Sequence, residues 1–131
     1  MVLCLLLRNG FLQQSIIEQR GNPNIILSER GIRSFDASTR NVLDTSAIAF
    51  VKHTSRYPVL ADPSHATVRS DLVLPAARVA IGAGTDGLLV EFHADPDSAL
   101  SDGEQLLALD TLPEFFQEVS RAAGAMGRSF A

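Results

Sequence analysis

Short runs of apolar residues alternate along the chain with longer segments whose apolar positions recur at helical spacing. The apolar runs are continuous, as in strands covered on both faces, and predict four strands: Val2–Leu7, Asn24–Leu27, Pro58–Ala61 and Gly87–Phe92. The helical spacing predicts helices over Leu12–Gln19, Ser46–Thr54, Leu72–Ala83 and a last helix from Thr111 to Met126. The resulting order, βαβαβαβα, is typical of a parallel sheet.

Polar residues, proline and glycine mark the expected helix ends. Asp44 and Thr45 stand where the second helix would be capped. Asp71 precedes the third helix, which would carry Pro75 in its first turn and stop at Gly84. The last helix would begin with a capping box, Thr111-Leu-Pro-Glu114.

The length of 131 residues predicts a single α/β domain. Four βα units are compatible with an open doubly wound sheet or with part of a (β/α)₈ barrel. A complete barrel takes about 250 residues, so this chain would supply about half of one and leave two open sheet edges.

Composition narrows the class of protein. Apolar residues make up 46% and charged residues 20%, which is typical of a globular domain. The net charge of −4 gives no overall attraction to nucleic acid or to an anionic membrane. The opening MVLCLLLR lacks the basic start and the cleavage site of a signal peptide, and no apolar run reaches the ~20 residues of a membrane span. The single cysteine, Cys4, excludes an internal disulfide and a multi-cysteine metal cage, and it fits a cytoplasmic location.

Polar residues follow each predicted strand at its carboxyl end, where parallel α/β proteins build their active sites. Three successive segments of the same rim supply His65, Glu91 and Asp102, a donor set suited to Mn²⁺, Fe²⁺, Zn²⁺ or Co²⁺. His93 competes with Glu91, because two residues of the same strand parity project to the same side, but a solvated or supporting histidine is the favoured interpretation.

Arginines at the strand ends predict an anion site. Arg8, Arg30 and Arg33 could each grip phosphate or carboxylate oxygens with two N–H groups. Surface solubility is a weaker explanation for Arg30, which directly follows a buried strand, than for Arg33.

The ordered motifs ERGIR, DPSHAT, VEFHADPD and ALSDG, within roughly Asn22 to Gln105, closely resemble the C-terminal half of 3-deoxy-D-arabino-heptulosonate 7-phosphate (DAHP) synthases of type I. The resemblance implies the C-terminal half of a (β/α)₈ barrel, in an enzyme that condenses phosphoenolpyruvate with erythrose 4-phosphate at the start of the shikimate pathway. It implies a divalent metal bound by His65, Glu91 and Asp102, and a phosphoenolpyruvate site at Arg30. Arg30 and His65 would be the catalytic residues, and Arg8 and Arg30 would bind substrate.

Several positions depart from the family pattern. The family's fourth metal ligand is a cysteine in the N-terminal half, and Cys4 would lie roughly 13 Å back from the rim. Arg8 stands where the family has a lysine, Val68 stands where it has a glycine, and residues 1–21 are a divergent segment. The chain alone is therefore expected to be inactive.

Two other interpretations stay open. One is a non-catalytic half-barrel that associates through its exposed edges with itself or with a complementary half. The other is an enzyme similar to 3-deoxy-D-manno-octulosonate 8-phosphate synthases. The motifs ERGIRSF and DPSHAT favour the heptulosonate family over the octulosonate family.

Overall fold

The structure of the protein is a computed structural model that describes residues 2–4 and 17–129. Its main sheet has four parallel strands in chain order: β1 (Val2–Cys4), β2 (Ile26–Glu29), β3 (Val59–Ala61) and β4 (Gly87–Leu88). In register, Leu27 lies opposite Val59, and Ala61 lies opposite Leu88. The predicted α/β class with parallel strands is confirmed.

Helices and short turns connect the strands. The helices are α1 (Thr45–Thr54), α2 (Pro63–Thr67), α3 (Ser70–Gly82) and α4 (Leu112–Ala125), and residues 17–19 form one more helical turn. A second, two-stranded parallel sheet joins β5 (Phe92–His93) to β6 (Leu107–Ala108). Three short 3₁₀ turns flank it: Pro96–Ser98, Gly103–Gln105 and Leu109–Thr111.

Two apolar clusters form the core. The first packs α1 against β2 and β3, with Leu27, Ile48 and Val59 at 0% exposure. The second packs α3 against α4 through Val73 and Val119. Among the described residues, no helix combines the length and the apolar character that crossing a membrane would demand.

Two strand predictions need correction. The predicted strand Asn24–Leu27 is shifted, because the ladder extends to Glu29, whose carbonyl accepts a hydrogen bond from the Asp62 N–H. The predicted strand Gly87–Phe92 ends at Leu88. The Glu91 N–H donates to the Ser64 hydroxyl instead of to a neighbouring strand, and Phe92 pairs with Leu107. Residues 5–7 of the first predicted strand and 12–16 of the first predicted helix lie outside the described residues.

The helix caps are partly as predicted. The Asp44 side chain accepts from the Ala47 N–H and caps α1. Asp71 does not cap α3, which begins one residue earlier at Ser70, so Pro75 lies in its second turn rather than its first. The capping box at Thr111 is also wrong: a 3₁₀ turn leads directly into α4, and the Thr111 hydroxyl donates backward to the Ala108 carbonyl.

Candidate functional site

The carboxyl end of β2 carries a buried acid followed by an arginine and a glycine. Glu29 is fully buried, and its Oε1 accepts from the Gly31 N–H at 2.9 Å. Gly31 has φ +90°, and a Cβ there would lie 2.7 Å from the Asn41 Cβ and 3.0 Å from the Ala66 Cα. Only glycine therefore lets the chain turn here and pass so close to α2. This turn presents the Arg30 side chain, which is 42% exposed, at the rim.

Glu29 is held in an environment that disfavours its charge. Burial raises the pKa of Glu29 from 4.5 to about 7. The backbone N–H groups of Gly31 and Asp44 oppose the rise, and the negative charges of Asp44 and Asp62 add smaller contributions to it. Its Oε2 is buried with no hydrogen-bond partner among the described residues. A buried carboxyl group with a pKa of about 7 therefore lies directly beside Arg30 at the end of β2.

Asp62, at the end of β3, connects the arginine to the histidine. Its carboxylate is fully buried, and Oδ2 accepts from the Arg30 Nε at 3.0 Å. Oδ1 accepts from the His65 backbone N–H at 3.0 Å, which caps the short helix α2. One buried carboxylate thus fixes both the guanidinium and the helix that carries the imidazole.

His65 projects from α2 toward Glu91. Its Nδ1 lies 2.8 Å from Asp62 Oδ2, and this buried nitrogen makes no hydrogen bond to a described residue. Its Nε2 lies 3.5 Å from Glu91 Oε1. A buried carboxylate behind one ring nitrogen and an open second nitrogen is the arrangement of many metal-binding histidines.

Glu91 follows β4 and is held at two points. Its backbone N–H donates to the Ser64 hydroxyl at 3.2 Å. Its Oε2 accepts from the Gln105 amide at 2.5 Å, while Oε1 faces His65. The sequence placed both His65 and Glu91 at strand ends, and the fold brings these two predicted ligands together.

The predicted third ligand, Asp102, does not complete a cluster. It is exposed, in the left-handed region at φ +58°, just before the turn Gly103–Gln105. Within residues 2–4 and 17–129, no group of three His, Cys, Asp or Glu side chains is arranged to hold a metal ion.

The donor chemistry of the His65–Glu91 pair nevertheless fits a divalent cation. Two ligand atoms that are each about 2.1 Å from one ion, at a tetrahedral angle, would lie about 3.5 Å apart. The Nε2 to Oε1 distance of 3.5 Å matches that separation. The structure thus brings two of the three predicted donors within reach of one ion, and metal binding by His65, Glu91 and Asp102 stays a prediction.

The remaining residues considered in the sequence are Arg8, Cys4, Arg33 and His93. Arg8 and the Cys4 side chain lie outside the described residues, and Arg33 is exposed on the loop after Arg30. His93 is exposed, and its Nδ1 accepts from the Asp95 N–H. The favoured interpretation of His93 as a solvated or supporting histidine stays a prediction.

Sequence reasoning assigned no role to four buried polar residues of this site: Glu29, Asp62, Ser64 and Gln105. Asp62 stands three residues before His65, the spacing of an N-cap, and that signal could have identified it. Gln105 carries no local signal, because its role depends on Glu91, which lies 14 residues earlier in the chain.

Fold and site together define a parallel α/β protein with an arginine–carboxylate–histidine–glutamate chain at the carboxyl ends of its strands. Residues 10–125 match the model of the DAHP synthetase I family, so the chain belongs to that family. The resemblance identified in the sequence is thereby confirmed.

Known relatives agree with this assignment. The chain is 45% identical over 130 residues to phospho-2-dehydro-3-deoxyheptonate aldolase from Thermotoga maritima, covering 93% of this chain and 38% of that protein. The crystal structure of a Thermotoga maritima protein of the same name superposes with a TM-score of 0.93 at 42% identity, covering 98% of this chain and 39% of that one. A 2-dehydro-3-deoxyphosphooctonate aldolase from Brucella ovis is 32% identical over 114 residues, covering 79% of this chain and 40% of that protein. The chain thus spans about two fifths of the length of these relatives.

Proposed function

We propose that these residues supply one side of the active site of a DAHP synthase, a transferase that joins phosphoenolpyruvate to erythrose 4-phosphate in an aldol-type condensation. The observation that supports this is the continuous series of contacts from Arg30 through Asp62 and His65 to Glu91. These contacts support an anion-binding role for Arg30 beside a metal-binding role for His65 and Glu91 at one rim. The four parallel strands would then be part of a (β/α)₈ barrel, with residues 1–21 as a divergent segment of the same domain.

Arg30 is proposed to hold phosphoenolpyruvate. Its Nε is used by Asp62, and its terminal Nη groups bond to no described residue, so they are available for a phosphate or carboxylate. Because Asp62 is buried and also caps α2, the guanidinium is aimed before substrate arrives. Arg8 stays a predicted second substrate contact.

His65, Glu91 and Asp102 are proposed to hold the divalent metal, whose identity the donor set leaves open among Mn²⁺, Fe²⁺, Zn²⁺ and Co²⁺. When bound, such an ion would polarise the aldehyde of erythrose 4-phosphate as a Lewis acid. The protein's part is to aim Nε2 of His65 and Oε1 of Glu91 at one point. Asp62, behind the imidazole, would favour that ring orientation.

Binding of phosphoenolpyruvate tests the role of Arg30. Titration of the 131-residue chain with phosphoenolpyruvate should show binding that Arg30→Ala weakens about tenfold or more, since a charge-assisted bidentate contact is lost. Arg33→Ala, an exposed arginine on the same loop, is the matched control and should bind as the unmodified chain does. Equal weakening in both variants would contradict a specific site at Arg30.

Turnover by these 131 residues alone is expected to be no more than trace, with Mn²⁺ present. The prediction follows from the family's fourth ligand, a cysteine that the sequence does not place at the rim, and from a length about two fifths of that of the relatives. Release of phosphate from the two substrates measures it. Ordinary enzyme rates would show that the described side of the site suffices.

The octulosonate alternative is weaker, because identity falls from 45% for the heptonate aldolase to 32% for the octonate aldolase. A cytoplasmic setting stays a prediction from the single cysteine.

Association through the sheet edges is a second candidate function. Among the described strands, β1 and β4 are the outer ones, and beside β4 an apolar groove of about 270 Å³ is lined by Leu88, Val90, Phe92, Leu112, Phe115 and Phe116. A second copy or a complementary half-barrel would cover this surface. Size-exclusion chromatography should show a dimer or larger species. A folded monomer that binds no apolar dye would rule out this candidate.

A further inference from the structure

Gln105 is a buried polar side chain that was not among the predicted site residues. It is at 0% exposure at the end of the turn Gly103–Gln105, three residues after Asp102. Its Nε2 donates to Glu91 Oε2 at 2.5 Å, but its Oε1 is buried with no hydrogen-bond partner among the described residues. Leaving a buried carbonyl unbonded is costly. A glutamine is therefore poorly explained at this position by packing alone.

Because of the hydrogen bond from Gln105, the two carboxylate oxygens of Glu91 have different partners. Oε2 is occupied by the amide, whereas Oε1 points at His65 Nε2, 3.5 Å away. The backbone of Glu91 is fixed separately by the Ser64 hydroxyl. With the backbone and one oxygen both held, the plane of the carboxylate is set, and a single oxygen is presented toward the imidazole.

The chemistry of the donor matters as well. A lysine or arginine in the same place would hold Glu91 by charge and would compete with a cation for it. A neutral amide orients the carboxylate and leaves its negative charge available. Groups that hold a ligating carboxylate in this way commonly change metal affinity when they are removed.

We propose that Gln105 is a positioning residue for Glu91: its amide holds Oε2 so that Oε1 and His65 Nε2 face a common divalent cation, and it ties the turn after Asp102 to that pair. The inference rests on the proposed function, in which His65 and Glu91 bind the metal. It concerns the orientation of the ligand and not the reaction itself.

Binding of Co²⁺ alone to the full 131-residue chain tests the proposal without any assay of activity. Calorimetry gives the affinity, and the visible absorption of bound Co²⁺ reports its coordination. Gln105→Met keeps the length and removes the donor, and it should weaken Co²⁺ binding about tenfold to a hundredfold. Gln117→Met, an exposed glutamine on α4, is the matched control and should leave both the affinity and the spectrum unchanged.

The outcomes separate this inference from the proposed function. Loss of Co²⁺ binding in His65→Ala, with equal affinity in Gln105→Met and the unmodified chain, would overturn the role of Gln105 and leave the metal site standing. Failure of the unmodified chain to bind Co²⁺ would overturn the metal site and the inference together. If Gln105→Met does not fold, Gln105→Asn keeps an amide that is too short to reach Glu91. It should show the same loss, and full affinity in that variant would contradict the proposal.

Discussion

The two sides of the candidate site are built differently. The β2–β3 side, residues 25–67, holds Glu29 and Asp62 at 0% exposure beneath Arg30 and His65, next to an apolar core. The β4–β6 side, residues 87–108, has strands of two residues, and Gln105 is its one buried residue. Glu91 is placed there by two hydrogen bonds. The first side is thus organised by burial, and the second by a few directed contacts.

We therefore expect substitutions on one side to change mainly the stability of the fold, and substitutions on the other to change mainly ligand binding. Substitutions on the β2–β3 side should lower the free energy of unfolding, because they disturb buried and closely packed groups. Substitution of Gln105 should act chiefly on the orientation of Glu91, and substitutions at exposed positions of the β4–β6 side should leave stability nearly unchanged. The following predictions test that contrast.

Gly31→Ala should have the largest effect. The added methyl would meet Asn41 and Ala66 at a positive φ, so strain and crowding together should cost about 4 kcal/mol. Urea unfolding measures it. Gly21→Ala is the control, since φ there is +84° with nothing within 4 Å of the new Cβ, and it should cost only about 1 kcal/mol of backbone strain. Equal losses would show that the loop after β2 is not closely packed on α2.

Glu29 should make stability depend on pH. Its pKa is 4.5 unperturbed and about 7 when folded, so between these values the folded state binds more protons than the unfolded state. The free energy of unfolding therefore falls as pH rises through that window, by about 3 kcal/mol in total. Glu29→Gln should remove this component and be more stable than the unmodified chain above pH 7. Denaturation of both chains from pH 4 to 8 measures it, and parallel curves would contradict the assignment.

Asp62→Ala should destabilise by about 2 kcal/mol. It removes the cap of α2 and leaves Arg30 without its partner, but the Arg30 side chain is 42% exposed, so solvent screening keeps the cost below that of a fully buried ion pair. Asp71→Ala breaks the exposed pair with Arg69 and should not change the unfolding midpoint measurably. A similar unfolding midpoint for both variants would show that Asp62 stabilises the fold no more than an exposed acid does.

Val68→Gly should raise the free energy of unfolding, unlike Gly31→Ala and Asp62→Ala. Val68 ends α2 at φ +53°, a left-handed conformation that disfavours a β-branched residue. Glycine relieves that strain but adds freedom to the unfolded chain, so the net gain should be about 1 kcal/mol. Thermal and urea unfolding should both show it. A loss of stability would mean that the packing of the valine outweighs the strain.

The same contrast explains how far the sequence could be interpreted. The strand β3 and the Asp44 cap were predicted because their signals are local: an apolar run before Asp62, and an acid at the start of a periodic segment. The meeting of His65 and Glu91 followed from the rule that parallel strands bring their carboxyl ends to one edge.

The strand predictions failed where the end of a strand depends on a hydrogen-bond partner that is distant in the sequence. Glu29 continues β2 because Asp62 pairs with its backbone, and the strand after Leu88 stops because Ser64 takes the Glu91 N–H. Neither partner can be identified from the segment itself. Gln105 was missed for the same reason, and it belongs to the side of the site with the fewest buried residues.

Leu100→Ala should have the smallest effect. Leu100 lies on the β4–β6 side with its side chain fully exposed, at 106%, so its removal should change the free energy of unfolding by less than about 0.5 kcal/mol. Leu27→Ala makes the same change at 0% exposure on the β2–β3 side and should cost about 3 kcal/mol. Urea unfolding of the two variants side by side measures the contrast. A loss above about 1 kcal/mol for Leu100→Ala would mean that this loop packs against another surface in solution, because an exposed leucine has no contacts to lose. The β4–β6 side would then owe its order to association as well as to the hydrogen bonds on Glu91.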